Sequence, residues 1–126
     1  MMKHLLLAFG LCCASVAHAQ ATLDYTQAKQ RADADEAALA PEQAASLRDA
    51  QAIALDAGVS ACATPTADTS PFVVVAELDA TGKVVRTWRE GATPLAICVQ
   101  KQIAGRTLSA PVRAPFFTSF ELSFTP

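Results

Sequence analysis

Histidine is almost absent from this sequence of 126 residues, and its scarcity removes several kinds of catalytic site. The two histidines, His4 and His18, both lie within the first nineteen residues. The remainder of the chain therefore has no imidazole to act as the base of a Ser–His or Cys–His site, or as a zinc ligand. We accordingly predict no metal site and no cofactor.

Long hydrophobic runs are missing as well. The apolar stretch from Leu5 to Ala14 is too short for a membrane-spanning helix, which needs about 20 residues. It follows the basic residue Lys3 and precedes several small residues, a pattern typical of a signal peptide. We therefore expect residues 1–19 to be removed by cleavage between Ala19 and Gln20, which leaves no stable membrane span.

The sequence also lacks an excess of positive charge. Its formal net charge is −2 at pH 7, so composition favours neither nucleic acid nor anionic lipid as a partner. The charges are unevenly divided, because residues 20–70 contain eight acidic and three basic side chains, whereas residues 71–126 contain four acidic and six basic ones. This difference predicts two parts: an acidic helical segment (20–59), then a linker (60–71) and a domain (72–126).

Of the four cysteines, Cys12 and Cys13 belong to the expected signal peptide, which leaves Cys62 and Cys98. In an oxidising compartment, an even pair of cysteines in a small domain is typical of a structural disulfide. The pair lacks C-x-x-C spacing, which disfavours a catalytic dithiol. We therefore predict a disulfide between Cys62 and Cys98.

Residues 24–58 favour helix because they are rich in alanine, glutamine and charged residues. Pro41 divides the segment, since proline is suited to the first turn of a helix and not to its interior. The prediction is one helix from Asp24 to Leu39 and a second from Pro41 to Ala57, closed by Gly58 in the left-handed position. Both are alanine-rich and bury little area, so they either pack on another part of the protein or stay mobile.

The C-terminal part begins with two strand-like runs, Phe72 to Leu78 and Val84 to Arg89. Asp79 is suited to starting the turn between them, and Gly82 to the positive φ of a hairpin loop. The pattern therefore predicts a β-hairpin.

A short helix and a third strand follow the hairpin. Thr93 and Pro94 are typical of the N-cap and first position of a helix, which is predicted to end before Gly105. Its apolar side recurs every four residues. Phe116 to Thr125 alternates apolar and polar residues, which predicts a strand. The apolar positions of the helix are Leu95, Val99 and Ile103.

These elements predict an α+β fold in which an N-terminal helical segment precedes a β-β-α-β unit. The helical connection makes the second and third strands parallel to each other, and the first strand fits between them. We expect a three-stranded antiparallel sheet of order 2-1-3, packed on one helix.

The third strand is then an edge with a single charge, Glu121. Because an edge presents unpaired backbone groups, either the helical segment covers it, or a partner strand or second copy of the chain pairs with it. The residues predicted to bind a partner are Trp88, Phe117, Ser119 and Glu121, although Trp88 is also suited to a simple packing role.

The run from Val73 to Val85, with Cys98-Val99, Pro111 and the strand from Phe116 to Phe124, resembles the TonB-like and AgmX/PglI-like C-terminal domain families over residues 72–125. The resemblance implies a periplasmic, non-enzymatic domain that binds envelope proteins, partly by strand addition. Energy transducers of this kind have an uncleaved anchor and a long proline-rich spacer. This sequence shows neither, so energy transduction is not expected.

The leading hypothesis is therefore an exported periplasmic module that binds an envelope protein or peptide. An inhibitor or immunity-type protein is an alternative, because such proteins are small, secreted and disulfide-bonded. A small hydrolase with a carboxylate pair is another. Its candidate residues are Glu77, Asp79, Glu90 and Glu121.

Overall fold

A computed structural model describes residue 10 and residues 22–124 of the chain, so the predicted cleavage site at Ala19 and Gln20 lies outside the described residues. The sheet has the order β2-β1-β3, and β1 is antiparallel to both neighbours. This arrangement confirms the predicted α+β fold. In the described part, no helix is long and apolar enough to cross a membrane. The elements are α1 (Tyr25–Ala37), α2 (Pro41–Cys62), β1 (Phe72–Leu78), β2 (Val84–Glu90), α3 (Pro94–Ala104) and β3 (Phe116–Leu122).

The β1–β2 turn forms as predicted. Asp79 Oδ1 accepts hydrogen bonds from the backbone N–H groups of Thr81 (2.9 Å) and Lys83 (3.0 Å). Gly82 has a φ of +88°, and a Cβ at this position would lie 2.2 Å from the carbonyl oxygen of Leu108. The turn therefore requires glycine both for its backbone conformation and for the close approach of the chain that precedes β3.

Helix α3 also begins as predicted and covers one face of the sheet. Thr93 Oγ1 accepts a hydrogen bond from the N–H of Ala96 (3.1 Å), and Pro94 occupies the first turn. The main hydrophobic core lies between α3, α2 and this face. Its fully buried members are Ala54, Phe72, Val74, Ala76, Leu78, Val84, Leu95, Ala96, Val99, Ile103, Phe116 and Phe120.

Helix α2 is longer than predicted, because it continues through Gly58 to Cys62. Gly58 does not cap the helix; it is buried against α3, where a Cβ would lie 3.5 Å from Val99 Cγ1. Packing on α3 therefore outweighs the tendency of glycine to end a helix. Cys62 consequently lies in the last turn of α2 rather than in the linker, and its disulfide to Cys98, with the Cα atoms 5.8 Å apart, confirms the predicted pairing.

Helix α1 packs on the opposite face of the sheet, so helices lie on both sides of it. Asp24 caps α1 by accepting a hydrogen bond from the N–H of Gln27 (2.8 Å). A second hydrophobic cluster forms beneath α1 from Ala28, Ala32, Val75 and Phe117. The sequence of β3 does not indicate this second buried face, because the residues that follow Phe117 on the same side of the strand are the polar Ser119 and Glu121.

Candidate functional site

The outer edge of β3 is covered by the end of α1. The N–H of Phe117 donates to Asp35 Oδ2 (2.9 Å), and the N–H of Ser119 donates to Glu36 Oε1 (2.8 Å). Both N–H groups point away from β1, where an added strand would bind. The two carboxylates therefore occupy positions that the carbonyl oxygens of a partner strand would take.

Helix α2 completes this cover through Gln51. Gln51 Nε2 donates to the carbonyl oxygen of Ser119 (2.9 Å) and to Thr118 Oγ1 (2.8 Å). The hydroxyl of Thr118, which is fully buried, donates in turn to Glu36 Oε1 (2.7 Å). Because charge-assisted hydrogen bonds are among the stronger polar contacts in proteins, this network fixes α1, α2 and β3 to one another.

The sequence predicted that the β3 edge is either covered by the helical segment or paired with another strand. In the structure, the helical segment covers it. Phe117 is 1% exposed and Ser119 is 8% exposed, so neither is accessible to a partner while α1 stays in place. Glu121 is exposed and forms an ion pair with Lys29 (3.0 Å). Binding of a partner strand at these residues stays a prediction that requires α1 to move.

Trp88 is half-buried and has a packing role. Its Nε1–H donates to the carbonyl oxygen of Leu23 (2.8 Å), and its ring lies 5.8 Å from that of Phe117. The guanidinium of Arg86 lies 5.0 Å from the Trp88 ring centre. The indole therefore joins β2 to the segment that leads into α1.

Three of the four carboxylates proposed for a hydrolase form contacts within the fold. Glu77 forms two hydrogen bonds with Arg86 (2.8 and 3.1 Å), Asp79 forms the hairpin turn, and Glu121 binds Lys29. Burial and the neighbouring Glu90 carboxylate raise the pKa of Tyr25 to about 12. Across residues 22–124, no group of three or more His, Cys, Asp or Glu side chains is placed to hold a metal ion.

A largely apolar groove lies between α2 and the chain that precedes β3, and we call it the α2 groove. Its volume is about 290 Å³. Leu78 and Phe116, at adjoining ends of β1 and β3, contribute its buried apolar surface. The residues that line it are Leu39, Glu42, Gln43, Ser46, Leu47, Ala50, Leu78, Leu108, Ser109, Ala110, Pro111, Val112 and Phe116.

Two features of the α2 groove distinguish it from a patch of ordinary core. Val112 is 55% exposed at its rim, whereas most large apolar side chains among the described residues are at least partly buried. Glu42 is the one ionisable side chain among the described lining residues, and the structure gives it no ion pair there. The groove therefore combines an accessible apolar interior with an unneutralised negative charge.

Sequence reasoning missed this groove because its walls come from separate parts of the chain. The one local signal is the Ala110-Pro111-Val112 run, which places an apolar residue in a segment that proline keeps out of regular structure. No family model, curated protein or solved structure matches this chain.

Proposed function

We propose that this chain is an exported, non-enzymatic protein-binding module of the periplasm, and that the α2 groove receives an apolar side chain of its partner. The observation that carries the proposal is the accessible apolar cavity formed by α2 and residues 108–112. An apolar concavity with a few polar groups is the usual form of a binding site. The predicted signal peptide supports export, and the disulfide supports an oxidising compartment.

The size of the groove favours a protein side chain over a larger ligand. Its volume of about 290 Å³ lies just below the range of roughly 300–1,000 Å³ that is typical of sites for drug-sized molecules and cofactors. One or two large apolar side chains suit this space. Glu42 at the rim favours a partner segment in which a lysine or arginine lies close to that apolar residue.

The β-β-α-β unit of residues 72–122 has the element order that the TonB-like resemblance implies, and it supports a role in binding envelope proteins. Strand addition at β3 is less favoured, because a partner would first have to displace three polar side chains. The proposal therefore assigns partner binding to the α2 groove. The same surface is suited to an inhibitor or immunity-type protein, whose partner would be an enzyme.

The test places a charge in the groove without changing the core. Val112→Glu introduces a carboxylate at an exposed lining position, and Ile53→Glu is the matched control, because Ile53 is 67% exposed on α2 and does not line the groove. Tagged wild-type and variant proteins would be crosslinked in the envelope of their own host. A captured partner would then be purified and its affinity measured by calorimetry.

We expect Val112→Glu to weaken binding of the purified partner at least about tenfold, because it introduces a charge that has to be desolvated, and Ile53→Glu to leave it unchanged. Equal affinities for the wild-type protein and the Val112→Glu variant would exclude the groove as the binding site. Turnover of the captured protein or a small molecule by this chain would contradict the non-enzymatic role.

A further inference from the structure

The second edge of the sheet, β2, has backbone groups that point away from the molecule. The N–H of Ser119 points outward to α1, so this residue and its partner Val75 do not bond to each other, and the backbone of Val75 faces β2. Val75 lies opposite Trp88, whose backbone groups therefore face β1. Because the direction alternates along a strand, the backbone groups of Thr87 and Arg89 point outward.

The protein covers only the first part of the β2 edge. The N–H of Val84 donates to the carbonyl oxygen of Arg106 (3.1 Å), and the N–H of Leu108 donates to that of Gly82 (2.8 Å). Beyond this contact, no described residue forms a hydrogen bond with the backbone of Thr87 or Arg89. The open part of the edge therefore extends from residue 86 to residue 90.

The sequence of this open part is Arg86-Thr87-Trp88-Arg89-Glu90, and it is complementary to itself in one antiparallel register. Outward-facing residues must lie opposite outward-facing residues, so a symmetric pair is centred on Thr87, Trp88 or Arg89. Centring on Arg89 places like charges opposite each other, and centring on Thr87 leaves Glu90 without a basic neighbour directly opposite. Centring on Trp88 places Arg86 opposite Glu90 twice.

We propose that a second copy of this chain pairs with β2 in the register centred on Trp88, which joins two three-stranded sheets into one of six strands. Thr87 and Arg89 of each copy exchange backbone hydrogen bonds. The two Trp88 residues lie opposite each other at the two-fold axis, and each ring keeps its contact with Phe117 of its own chain. No residue of the open part of β2 lines the α2 groove, so the dimer and the groove are tested separately.

The charges on β2 explain why a second copy is the occupant rather than an unrelated strand. Arg86, Arg89 and Glu90 oppose pairing with an apolar or uniformly basic strand, which is how exposed edges are commonly protected. In the proposed register, each Glu90 lies opposite Arg86 of the partner subunit. Because Glu77 accepts hydrogen bonds from Nε and Nη2 of Arg86, the remaining N–H groups of the guanidinium are the ones available to Glu90. The charges that disfavour pairing with other strands therefore favour pairing with β2 of a second copy.

The first test is the oligomeric state of the mature protein, measured by sedimentation equilibrium over micromolar to millimolar concentrations. We expect a monomer–dimer equilibrium that Glu90→Arg weakens at least about tenfold, because Arg86 then faces a like charge. Asp56→Arg makes the same charge change at an exposed position on α2 that lines neither β2 nor the α2 groove, and it is expected to leave the equilibrium unaltered. A wild-type protein that stays monomeric, or equal effects of the two variants, would overturn the proposal.

The register is tested by disulfide crosslinking of cysteine variants under oxidising conditions. Thr87 lies opposite Arg89 of the partner subunit, so a mixture of Thr87→Cys and Arg89→Cys chains is expected to give a covalent dimer containing one chain of each variant. Each variant alone is expected to stay uncrosslinked. A covalent dimer of Thr87→Cys alone, or of Arg89→Cys alone, would indicate another register and contradict the proposed one.

Discussion

Tyr25 lies in the first turn of α1, close to Lys29 on the same helix and to Glu90 at the end of β2. Burial raises the pKa of its hydroxyl to about 12, and the Glu90 carboxylate acts in the same direction, whereas Lys29 opposes it. The neutral phenol is therefore the form that suits the folded protein. Because this is the single tyrosine of the sequence, its ionisation can be followed directly.

The folded pKa of Tyr25 exceeds the ordinary tyrosine value of 10.0, so this residue contributes stability that is complete below about pH 10 and is lost as the pH rises towards about 12. We expect the phenolate absorbance of the folded protein to rise with a midpoint near 12, and that of the urea-unfolded protein near 10. Tyr25→Phe is expected to abolish the loss of stability that ionisation of Tyr25 causes between about pH 10 and pH 12. A folded-state midpoint near 10 would contradict the prediction.

At the scale of elements, the contact between α1 and β3 depends on Glu36. Glu36→Ala leaves the N–H of Ser119 and the hydroxyl of Thr118 without their shared acceptor, and we expect it to lower the free energy of unfolding by about 2–4 kcal/mol. Glu42→Ala is the control: it removes a carboxylate from the first turn of α2, and the loss of its interaction with the helix N-terminus is expected to cost less than about 1 kcal/mol. Urea unfolding measures both values, and similar losses in the two variants would contradict this role of Glu36.

Local patterns predicted the strands, the hairpin and α3, because alternation, Asp79 and the Thr93-Pro94 pair determine those elements over short distances. The predicted end of α2 at Gly58 was wrong, because packing against α3 keeps this glycine inside the helix. The sequence predicted the α1–β3 contact only as one of two alternatives, a covered β3 edge or a β3 edge paired with another strand. It depends on polar side chains that are far apart in the chain, and no spacing rule pairs Glu36 with Ser119.

At the scale of the whole molecule, the disulfide joins α2 to α3, the two helices that cover the main core. The bridge spans 36 positions, and removing it is expected to cost about 2–4 kcal/mol of stability, because the unfolded chain gains conformational freedom. We expect the Cys62→Ser/Cys98→Ser variant to unfold at a lower temperature than the wild-type protein. A reductant should lower the unfolding temperature of the wild-type protein and leave that of the variant unchanged. An equal decrease in both proteins would contradict a stabilising disulfide between Cys62 and Cys98.

The hydrogen bonds between α1 and β3 join residues that are 82 and 83 positions apart, which has a consequence for how the protein folds. Contacts of such high contact order require the closure of a long loop and slow the folding rate. The third strand is also the last of the described elements along the chain, so α1 is synthesised before the strand with which it pairs. A partly folded chain, rather than the native protein, is therefore the form that exposes the β3 edge to aggregation.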